Sequence, residues 1–327
     1  MKIPSKLKEK TFEVVVVGAG LTGLTAASLL AQQKQVLVLD KGRRAGGRLA
    51  DHRIEEAHFD KGGQFLTARD HRFAEQVSIW RESGFVKEWY RKVDGQTYEL
   101  PRWRGVPNMR ALALELGRQV EICASCRVEK VSVESDHWDL LLSNREQISA
   151  EALILTAPVP QSLDLIDIGR SPLTAHVREK LERITYDSCL AVMALLETSS
   201  KIPLPGAIIP SHHAIDWISD NQQKGISPVP AVTIHASAEY SSKYSHEQKS
   251  NLAEQLIKYA NPWIGANATK YQTHFWKYSK PVTTHTEPFI VAKEAPKLIF
   301  AGDAFAGPRI EGAFLSGWET ANYLLKN

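Results

Sequence analysis

Cysteine is scarce in this chain of 327 residues, which contains only three. Three cysteines cannot supply the disulfide framework of a small secreted domain, so we expect a reducing, cytoplasmic compartment. Cys123 and Cys126 have the CxxC spacing, but the chain lacks a second cysteine pair that would match them. We therefore predict neither a metal site nor a redox role for these two residues.

The chain also lacks a large excess of charge and a long uninterrupted apolar run. Lysine and arginine number 40 against 37 aspartates and glutamates, a surplus too small to indicate a nucleic-acid partner. Gly18, Gly20 and Gly23 interrupt the apolar stretch 14–31, whereas a membrane-spanning helix needs about 20 mostly apolar residues. We predict no nucleic-acid partner, no membrane insertion, and a flexible, lysine-rich N-terminus over residues 1–10.

The two ends of the chain have the same α/β character. Phe12–Val17, Leu21–Gln32 and Gln35–Asp40 have the pattern of a strand, a helix and a second strand, which is typical of the opening of a parallel sheet. Near the C-terminus, a strand at Leu298–Ala301 is followed by a helix at Gly312–Lys326. We therefore predict a Rossmann-type α/β domain that is discontinuous in sequence.

The central part of the chain has strands separated by loops rather than by regularly alternating helices, which indicates an inserted α+β domain. Pro158 and Pro160 are predicted to mark a crossing between the domains. The elements predicted between the two ends are strands at 48–53, 58–60, 128–133, 138–142, 152–156, 189–196, 214–219, 231–237 and 271–278, and helices at 174–183 and 246–260. The predicted boundaries are 11–75, 105–160 and 290–327 for the Rossmann-type domain, and 76–104 and 161–289 for the inserted substrate domain.

The residues Gly18-Ala19-Gly20-Leu21-Thr22-Gly23, between the first strand and the first helix, form a GxGxxG motif. The first glycine permits a tight turn, the second lets the backbone approach a pyrophosphate, and the third lets the helix pack close to the strand. The phosphates then lie at a helix N-terminus, where N–H groups and the helix dipole attract anions. The motif predicts dinucleotide binding, and the alternative is a glycine-rich turn that serves packing alone.

A second glycine-rich segment, 41–48, directly follows Asp40, the residue that ends the second strand. The Asp40 carboxylate is placed to accept hydrogen bonds from ribose hydroxyls. A flavin dinucleotide is extended and needs more backbone close by than NAD does, and an arginine can offer a planar fork to its pyrophosphate. The segment therefore predicts FAD, with contacts at Lys41, Gly46, Gly47 and Arg48. The alternative is a solvated basic loop.

The last strand ends in a Gly302-Asp303 pair, and the segment 307–313 opens the last helix. Asp303 is placed to accept hydrogen bonds from a ribityl chain. The N–H groups of Gly312, Ala313 and Phe314 are predicted to form a positive helix end for the anionic edge of a reduced flavin. The candidate cofactor contacts in this part of the chain are Gly302, Asp303, Glu311, Gly312 and Ala313.

Together these motifs resemble those of the flavoproteins with two dinucleotide-binding domains, a group that includes amine oxidases, phytoene desaturases, protoporphyrinogen oxidases and renalases. Within this group the chain is most similar to the bacterial renalases. The features that carry the narrower resemblance are the run Phe59–Asp70, Asp216-Trp217 with Asn221, the run Ile234–Ser237, and the run Arg309–Ala313 with Ser316-Gly317.

The resemblance implies non-covalent FAD in a fold like that of p-hydroxybenzoate hydroxylase. Bacterial renalases oxidise dihydronicotinamide dinucleotides, NAD(P)H reduced at the wrong ring carbon, to NAD(P)⁺, and O₂ then reoxidises the flavin and yields H₂O₂. By position in the family, Gly63, Gln64 and Phe65 would lie near the flavin, and Val128 would contact the adenine through its backbone. The implied partners are a small-molecule dihydronicotinamide and O₂.

Such a reaction needs no catalytic side chain, because a dihydropyridine is a hydride donor and the flavin N5 is the acceptor. Arg69 is a candidate for a substrate phosphate, or it pairs with Asp70. Trp217 and Asn221 are candidates for the nicotinamide, and His235 is a candidate for the substrate pocket. The alternatives are a packed tryptophan, a turn asparagine and a core histidine. We expect Lys277 and Lys280, which follow Trp276, to be solvated.

Two other functions stay open at this point. One is an amine oxidase or desaturase on the same fold, and the other is a redox-inert protein in which FAD only stabilises a binding module. The fold does not distinguish them, because function resides in the pocket.

Overall fold

The computed structural model describes residues 11–93, 95–243 and 249–327. The segment 1–10, predicted to be flexible, and the start of the predicted helix 246–260 lie outside these residues. The strands are β1 (Thr11–Val17), β2 (Val36–Asp40), β3 (Asp51–Ile54), β4 (Ala57–Asp60), β5 (Val86–Val93), β6 (Gln96–Gly105), β7 (Glu121–Ala124), β8 (Val128–Val133), β9 (Trp138–Leu142), β10 (Gln147–Leu155), β11 (Tyr186–Leu196), β12 (Ala207–Ile208), β13 (Ile215–Asp220), β14 (Ala231–Ala236), β15 (Ala268–Pro281), β16 (Phe289–Glu294) and β17 (Lys297–Ala301). The helices are α1 (Leu21–Leu30), α2 (His71–Glu82), α3 (Arg110–Leu116), α4 (Val159–Ile168), α5 (Ala175–Glu182), α6 (Ala238–Lys243), α7 (Lys249–Ile264) and α8 (Ile310–Lys326).

The described residues form two compact units. The first comprises the described residues up to 47 together with 112–185 and 281–327, and the second comprises 48–111 and 186–280. Each unit is thus assembled from separated stretches of the chain. None of the helices in the described ranges combines the length and the hydropathy that crossing a bilayer requires.

An eight-stranded sheet forms the first unit. Its main path is β16-β17-β10-β1-β2-β7, and β9 pairs with both β10 and β8. The strands β17, β10, β1, β2 and β7 run parallel. Most residues of β1, β2 and β17 are buried and apolar, as is typical of parallel strands that are covered on both faces.

The register of this sheet brings four strand ends to one edge. Val17 pairs with both Leu39 and Leu155, and Leu155 pairs with Phe300. The residues at or directly after these ends are Gly18, Asp40, Thr156 and Gly302. Ligands of open parallel sheets bind beyond the carboxyl ends of the strands, so the sequence motifs meet where such a ligand would lie.

The last helix packs against the first one. A Cβ atom on Gly317 of α8 would lie 2.3 Å from the Thr22 carbonyl oxygen of α1 and 3.0 Å from the Thr25 Cβ. Glycine at this position therefore lets the two helices approach closely. The C-terminal segment thus returns to the first element of the chain, and the predicted Rossmann-type domain with an inserted α+β domain is confirmed.

The second unit contains a five-stranded sheet in the order β12-β13-β14-β11-β15. Helix α7 packs on this sheet through an apolar core that includes Val192, Ile234 and Leu256. The hairpin β3–β4 adds a second apolar cluster, in which Phe59 packs with Met193 and Ala231. The pair β5–β6 forms a separate two-stranded sheet.

The two units divide the chain differently from the predicted boundaries. Residues 48–75 were predicted in the Rossmann-type domain, but the apolar residues of β3–β4 pack on the sheet of the second unit. Residues 161–185 belong to the first unit, where the Ser171 hydroxyl binds the carbonyl oxygen and the N–H of neighbouring β8 residues. Pro158 is the N-cap of α4 rather than a domain crossing, because proline suits the start of a helix.

Several individual elements also differ from those predicted. Helix α8 begins at Ile310, two residues before the predicted start. The elements α2, α3, α4, α6, β5, β6, β7, β12 and β16 were not predicted. Cys123 and Cys126 form a disulfide across the turn that follows β7, although no disulfide was expected from the small number of cysteines. Pairing of β7 with β2 holds this turn in place, and the Cys126 N–H donates to the Asp40 carbonyl oxygen.

Candidate active site

The three glycines of the turn after β1 have different surroundings. A Cβ atom on Gly18, whose φ is +117°, would lie 2.5 Å from the Thr156 hydroxyl oxygen, and one on Gly23 would lie 2.0 Å from the Gly18 carbonyl oxygen. A Cβ atom on Gly20 would meet no described atom within 4 Å. The first and third glycines are therefore required by the protein's own packing, whereas the second faces space that a ligand can fill.

The N-terminus of α1 is open toward this space. Its N-cap is Gly20, which has no side chain to cap the helix, and its first turn contains no acidic residue. The first intrahelical hydrogen bond runs from the Leu24 N–H to the Gly20 carbonyl oxygen, so Leu21, Thr22 and Gly23 lack acceptors inside the helix. These N–H groups and the helix dipole make the position suitable for a phosphate.

The Asp40 carboxylate connects the two glycine-rich segments. One of its oxygens accepts from the Ala19 N–H at 2.6 Å, and the other accepts from the Gly42 N–H at 2.6 Å. A carboxylate offers about four lone-pair positions, so two remain for ribose hydroxyls. The predicted role of Asp40 is thus compatible with the bonds that it already makes.

The second glycine-rich segment lies directly on the first. The Gly46 N–H donates to the Ala19 carbonyl oxygen at 2.8 Å, and a Cβ atom on Gly47, whose φ is +52°, would lie 3.0 Å from the Gly20 Cα. Gly46 has a φ of +129°, so both positions need glycine for the backbone angle, and Gly47 also for the close approach. The Lys41 ammonium instead donates to the Gln161 side chain at 2.8 Å.

The start of α8 differs from the sequence expectation. The Ala313 N–H donates to the Arg309 carbonyl oxygen inside the helix, so the helix end consists of residues 310–312 rather than 312–314. A Cβ atom on Gly312 would lie 2.0 Å from the Gly307 carbonyl oxygen, which makes glycine necessary there. The Gly302 N–H donates to the Ser316 hydroxyl at 2.8 Å, and this bond attaches the strand end to α8.

Three features fit a dinucleotide. Gly20 has no side chain to block a ligand, the N-terminus of α1 has no side-chain cap, and the Asp40 carboxylate can accept further hydrogen bonds. Gly302 lies beside Gly18, since Thr156 contacts both: the Thr156 hydroxyl donates to the Gly18 carbonyl oxygen, and a Cβ atom on Gly302 would lie 4.0 Å from the Thr156 carbonyl oxygen. Val128 begins β8 with its side chain buried. Contacts of Val128, Asp303, Glu311 and Ala313 with the cofactor stay predictions.

The second unit contains a fully buried ion pair next to Gln64, a residue of the predicted flavin-contacting segment 63–65. The Lys224 ammonium is 2.7 Å from the Asp60 carboxylate, and the two side chains are 0% and 1% exposed. The other Asp60 oxygen accepts from the Met109 N–H at 2.9 Å. Burial lowers the pKa of Lys224, whereas the Asp60 carboxylate opposes that shift. The contact between the two groups and their further hydrogen bonds offset part of the hydration that both lose on burial.

Gln64 uses all its hydrogen-bonding groups inside this network. Its amide nitrogen donates to the Asp60 and Gly62 carbonyl oxygens at 2.6 and 3.0 Å. Its amide oxygen accepts from the Ser219 hydroxyl at 2.9 Å and from the Lys224 ammonium at 3.2 Å. The Gln64 side chain therefore holds the segment in place, and contact with a flavin would be left to the backbone of residues 63–65.

Aromatic rings surround Phe65 and form what we name the aromatic cluster, with ring centroids 5.6 to 6.4 Å from that of Phe65 for three of its members. The cluster consists of Phe65, Trp89, Tyr90, Tyr98 and Trp217. The Lys224 ammonium lies 4.6 Å from the Trp89 ring centroid, at a distance typical of a cation–π contact. The cluster offers flat apolar surface next to buried charge.

His235, which pairs with Trp217 of the aromatic cluster across the sheet, is neutral. Burial lowers its pKa to about 4, with the Lys61 carbonyl opposing the shift. The His235 Nε2 atom is 3.1 Å from the Lys61 carbonyl oxygen, and that contact requires the proton to be on Nε2. The Trp276 indole N–H donates to the same carbonyl at 3.2 Å. His235 therefore braces the segment that precedes Gly63.

The other predicted substrate residues have mixed surroundings. Trp217 pairs across the sheet with His235, and its indole N–H is buried without an acceptor among the described residues. The Asn221 amide nitrogen donates to the Thr233 hydroxyl at 3.0 Å, while its oxygen has no donor within the described part of the chain. The Arg69 guanidinium donates to the Thr67 hydroxyl at 2.8 Å, and Asp70 accepts two bonds from the Arg72 side chain.

Several residues of this region were missed by sequence reasoning or have other partners than predicted. The Arg48 guanidinium, predicted to bind pyrophosphate, donates to the Ser279 carbonyl oxygen at 3.1 Å. Lys224 was missed because its polar surroundings in sequence, Asn-Gln-Gln-Lys-Gly, resemble a solvated loop. Asp60, the last residue of β4, was the one available signal. The described residues contain no cluster of His, Cys, Asp and Glu that could hold a metal.

Comparison with known proteins gives consistent results. Residues 16–77 match the NAD(P)-binding Rossmann-like domain, and residues 80–325 match the flavin containing amine oxidoreductase family. The chain is 23% identical to renalase from Mus musculus, over 93% of this chain and 96% of that protein. It is 35% identical to an L-amino-acid oxidase from Bothrops moojeni, over 32% of this chain and 20% of that protein. The structure of putrescine oxidase bound to putrescine superposes with a TM-score of 0.71 at 13% identity, covering 97% of this chain and 100% of that chain.

Proposed function

Because the chain belongs to the flavin containing amine oxidoreductase family and is a renalase-like, FAD-dependent oxidoreductase, we propose that it oxidises misreduced dihydronicotinamide dinucleotides. The substrates are the 2- and 6-dihydro forms of NAD(P), and the product is NAD(P)⁺. One observation carries this proposal: the similarity to renalase extends over 93% of the chain, whereas that to the amino-acid oxidase covers 32%.

The first unit supplies the groups that hold the cofactor. The N–H groups at the start of α1 bind the diphosphate, and Asp40 accepts hydrogen bonds from a ribose. When bound, FAD supplies an acceptor for the hydride and passes both electrons to O₂, so that dihydronicotinamide, O₂ and one proton give NAD(P)⁺ and H₂O₂. We propose non-covalent binding, with Arg48, Gly63, Gln64 and Phe65 as further contacts.

Three ionisable residues near the aromatic cluster support a reaction without a side-chain base. His235 is neutral and its Nε2 proton is used by the Lys61 carbonyl, and Asp60 is paired with Lys224. None of these three groups is poised to remove a proton from a substrate. A dihydronicotinamide does not require that step, so the protein's task is to orient the ring and exclude other reactants. The aromatic cluster, with Asn221 and His235 nearby, is suited to a flat ring that carries an amide.

Anaerobic mixing of the yellow holoenzyme with single substrates tests the proposal. Borohydride-reduced NAD⁺, which contains the 2- and 6-dihydro isomers, is expected to bleach the flavin absorbance rapidly, while 4-dihydro NADPH and common amines do not. Admission of O₂ is then expected to restore the colour with one H₂O₂ per flavin. Bleaching by NADPH alone, or by none of the nucleotides, would contradict the proposal.

Amine oxidation is the second candidate, because the matched family is that of amine oxidoreductases and an L-amino-acid oxidase is similar over a third of the chain. The same experiment distinguishes it. Bleaching by putrescine, benzylamine or an L-amino acid, without bleaching by the dihydronicotinamides, would support this second function.

A further inference from the structure

Two arginines lie on one face of strand β6, beside the aromatic cluster. Arg102 and Arg104 are two residues apart, so their side chains point to the same side of the strand. The Arg102 guanidinium carbon lies 5.5 Å from the Phe65 ring centroid and 4.0 Å from that of Tyr98. The Arg104 guanidinium lies against Gly225, where a Cβ atom would be 3.0 Å from Nη2. This places it next to Lys224.

The hydrogen-bond partners of these two arginines are uncharged. The buried Asp60 carboxylate already pairs with Lys224 at 2.7 Å, and neither arginine forms an ion pair with any described carboxylate. Among the described residues, the acceptors near Arg102 are the Leu100 carbonyl oxygen and the Tyr90 hydroxyl, and that of Arg104 is the Gly105 carbonyl oxygen. All three are neutral, whereas each guanidinium has five N–H donors.

Partial burial makes this arrangement costly. Both arginines are half-buried, and burial lowers the pKa of Arg104 despite the attraction of Asp60. Removing a cation from water without a counter-charge costs free energy, and an anionic ligand would restore the balance. The aromatic cluster provides a buried donor that has no acceptor among the described residues, the Trp217 indole N–H, whereas the indole N–H of Trp89 donates to the Pro205 carbonyl oxygen at 2.8 Å.

We propose that Arg102 and Arg104 form an oxyanion-binding subsite for the substrate, and that the anion is the diphosphate of a dinucleotide. The inference rests on the proposed function for the identity of the substrate. A guanidinium fork binds phosphate oxygens in two parallel hydrogen bonds, and the adjacent aromatic rings suit the nicotinamide. A carboxylate, as in an amino acid, has the same chemistry and is the other source that the test must distinguish.

Calorimetric titration of the FAD-loaded enzyme with inorganic pyrophosphate, NAD⁺ and sodium acetate provides the test. Arg102→Gln and Arg104→Gln are each expected to raise the Kd of pyrophosphate and of NAD⁺ at least tenfold. Arg91→Gln is the matched control, because Arg91 is exposed, pairs with Glu88 and lies on the neighbouring strand β5. This control is expected to stay within twofold of the wild type. Unchanged Kd values in both subsite variants, with FAD content intact, would overturn the proposal.

Kinetics separate this proposal from the proposed function. Each variant is expected to raise KM for the dihydronicotinamides about tenfold and to change kcat less than threefold, because the arginines bind the diphosphate and not the ring that carries the reacting carbon. Normal KM and kcat for these substrates in both variants would refute the subsite and leave the function intact. If only an L-amino acid bleaches the flavin, and its KM rises in the variants, the oxyanion subsite stands with a carboxylate and the proposed function fails.

Lysine variants cover the case in which a glutamine variant loses FAD or unfolds. Arg102→Lys and Arg104→Lys keep the charge and remove the planar fork. We expect them to weaken pyrophosphate binding by three- to tenfold and to keep the wild-type melting temperature within 3 °C. Wild-type affinity in both lysine variants would argue against a guanidinium subsite.

Discussion

The glycines of the turn after β1 differ in what an added methyl group would contact. Gly20→Ala adds a Cβ atom where no described atom lies within 4 Å, at a φ of −81° that alanine adopts easily. We expect the apoprotein to melt within 2 °C of the wild type, while the Kd of FAD rises at least tenfold, because the methyl group occupies the place of the diphosphate. Differential scanning fluorimetry and flavin titration of the apoprotein measure the two quantities.

Gly23→Ala is the contrasting variant. Its Cβ atom would lie 2.0 Å from the Gly18 carbonyl oxygen, so α1 must shift and the apoprotein itself is expected to lose stability, by about 1–3 kcal/mol for such overpacking. Equal loss of FAD affinity and of apoprotein stability in the Gly20 variant would mean that this position serves packing rather than the ligand.

The neutral His235 predicts a pH dependence of stability. Its pKa in the folded protein is about 4, against about 6.5 in an unfolded chain, so the unfolded state takes up the proton first. This contribution to the free energy of unfolding is present above pH 6.5 and is lost as the pH falls toward 4, by at most about 3 kcal/mol. We expect His235→Gln to flatten the slope in this window, as measured by urea denaturation at several pH values. His176→Gln, at an exposed histidine, is the control that should keep the slope.

At the scale of elements, the contact between α1 and α8 depends on Gly317. In Gly317→Ala the Cβ atom would lie 2.3 Å from the Thr22 carbonyl oxygen, and overpacking of this kind costs about 1–3 kcal/mol. Thr22 lies in the first turn of α1, so displacement of α1 is expected to raise the Kd of FAD as well. Urea denaturation of the apoprotein and flavin titration test both effects.

A control on the same helix makes this prediction specific. Asn322→Ala replaces a half-buried residue whose side chain bonds only to its own helix, at the Trp318 carbonyl oxygen, among the described contacts. We expect a change within about 0.5 kcal/mol, as is usual for such positions. Similar losses in both variants would indicate a general sensitivity of α8 and not the close approach of two helices.

At the scale of the whole molecule, FAD is expected to act as a stabilising ligand. A ligand that binds only the folded state stabilises it by about 2.7 kcal/mol at a concentration one hundred times its Kd. The apoprotein should therefore melt several degrees below the holoenzyme, and its melting temperature should rise with the logarithm of added FAD. Riboflavin, which lacks the diphosphate, is the matched probe and should produce no comparable rise. A melting temperature that does not depend on FAD would contradict the conclusion that the folded protein binds FAD.

Local sequence determined the opening of the Rossmann-type domain and its cofactor. The apolar run of β1 ends at Gly18 because a positive φ is needed there, and Gly23 is required by contact with its own turn. Such constraints act between neighbours in the chain, so a sequence motif is sufficient to predict them. The predicted Asp40, Gly46 and Gly47 contact the same turn from the end of β2 and the loop that follows it.

Only the tertiary structure decided how the second unit is assembled. Lys224 lies in a polar segment, yet it is completely buried on Asp60, 164 residues away. Arg48 and Gln64, predicted as cofactor contacts, bind other parts of the second unit, and Arg102 and Arg104 meet the aromatic cluster through strand pairing. The periodicity of a sequence reports which side of an element is apolar, but the partner of a buried charge depends on contacts between distant segments, which form only when the chain folds.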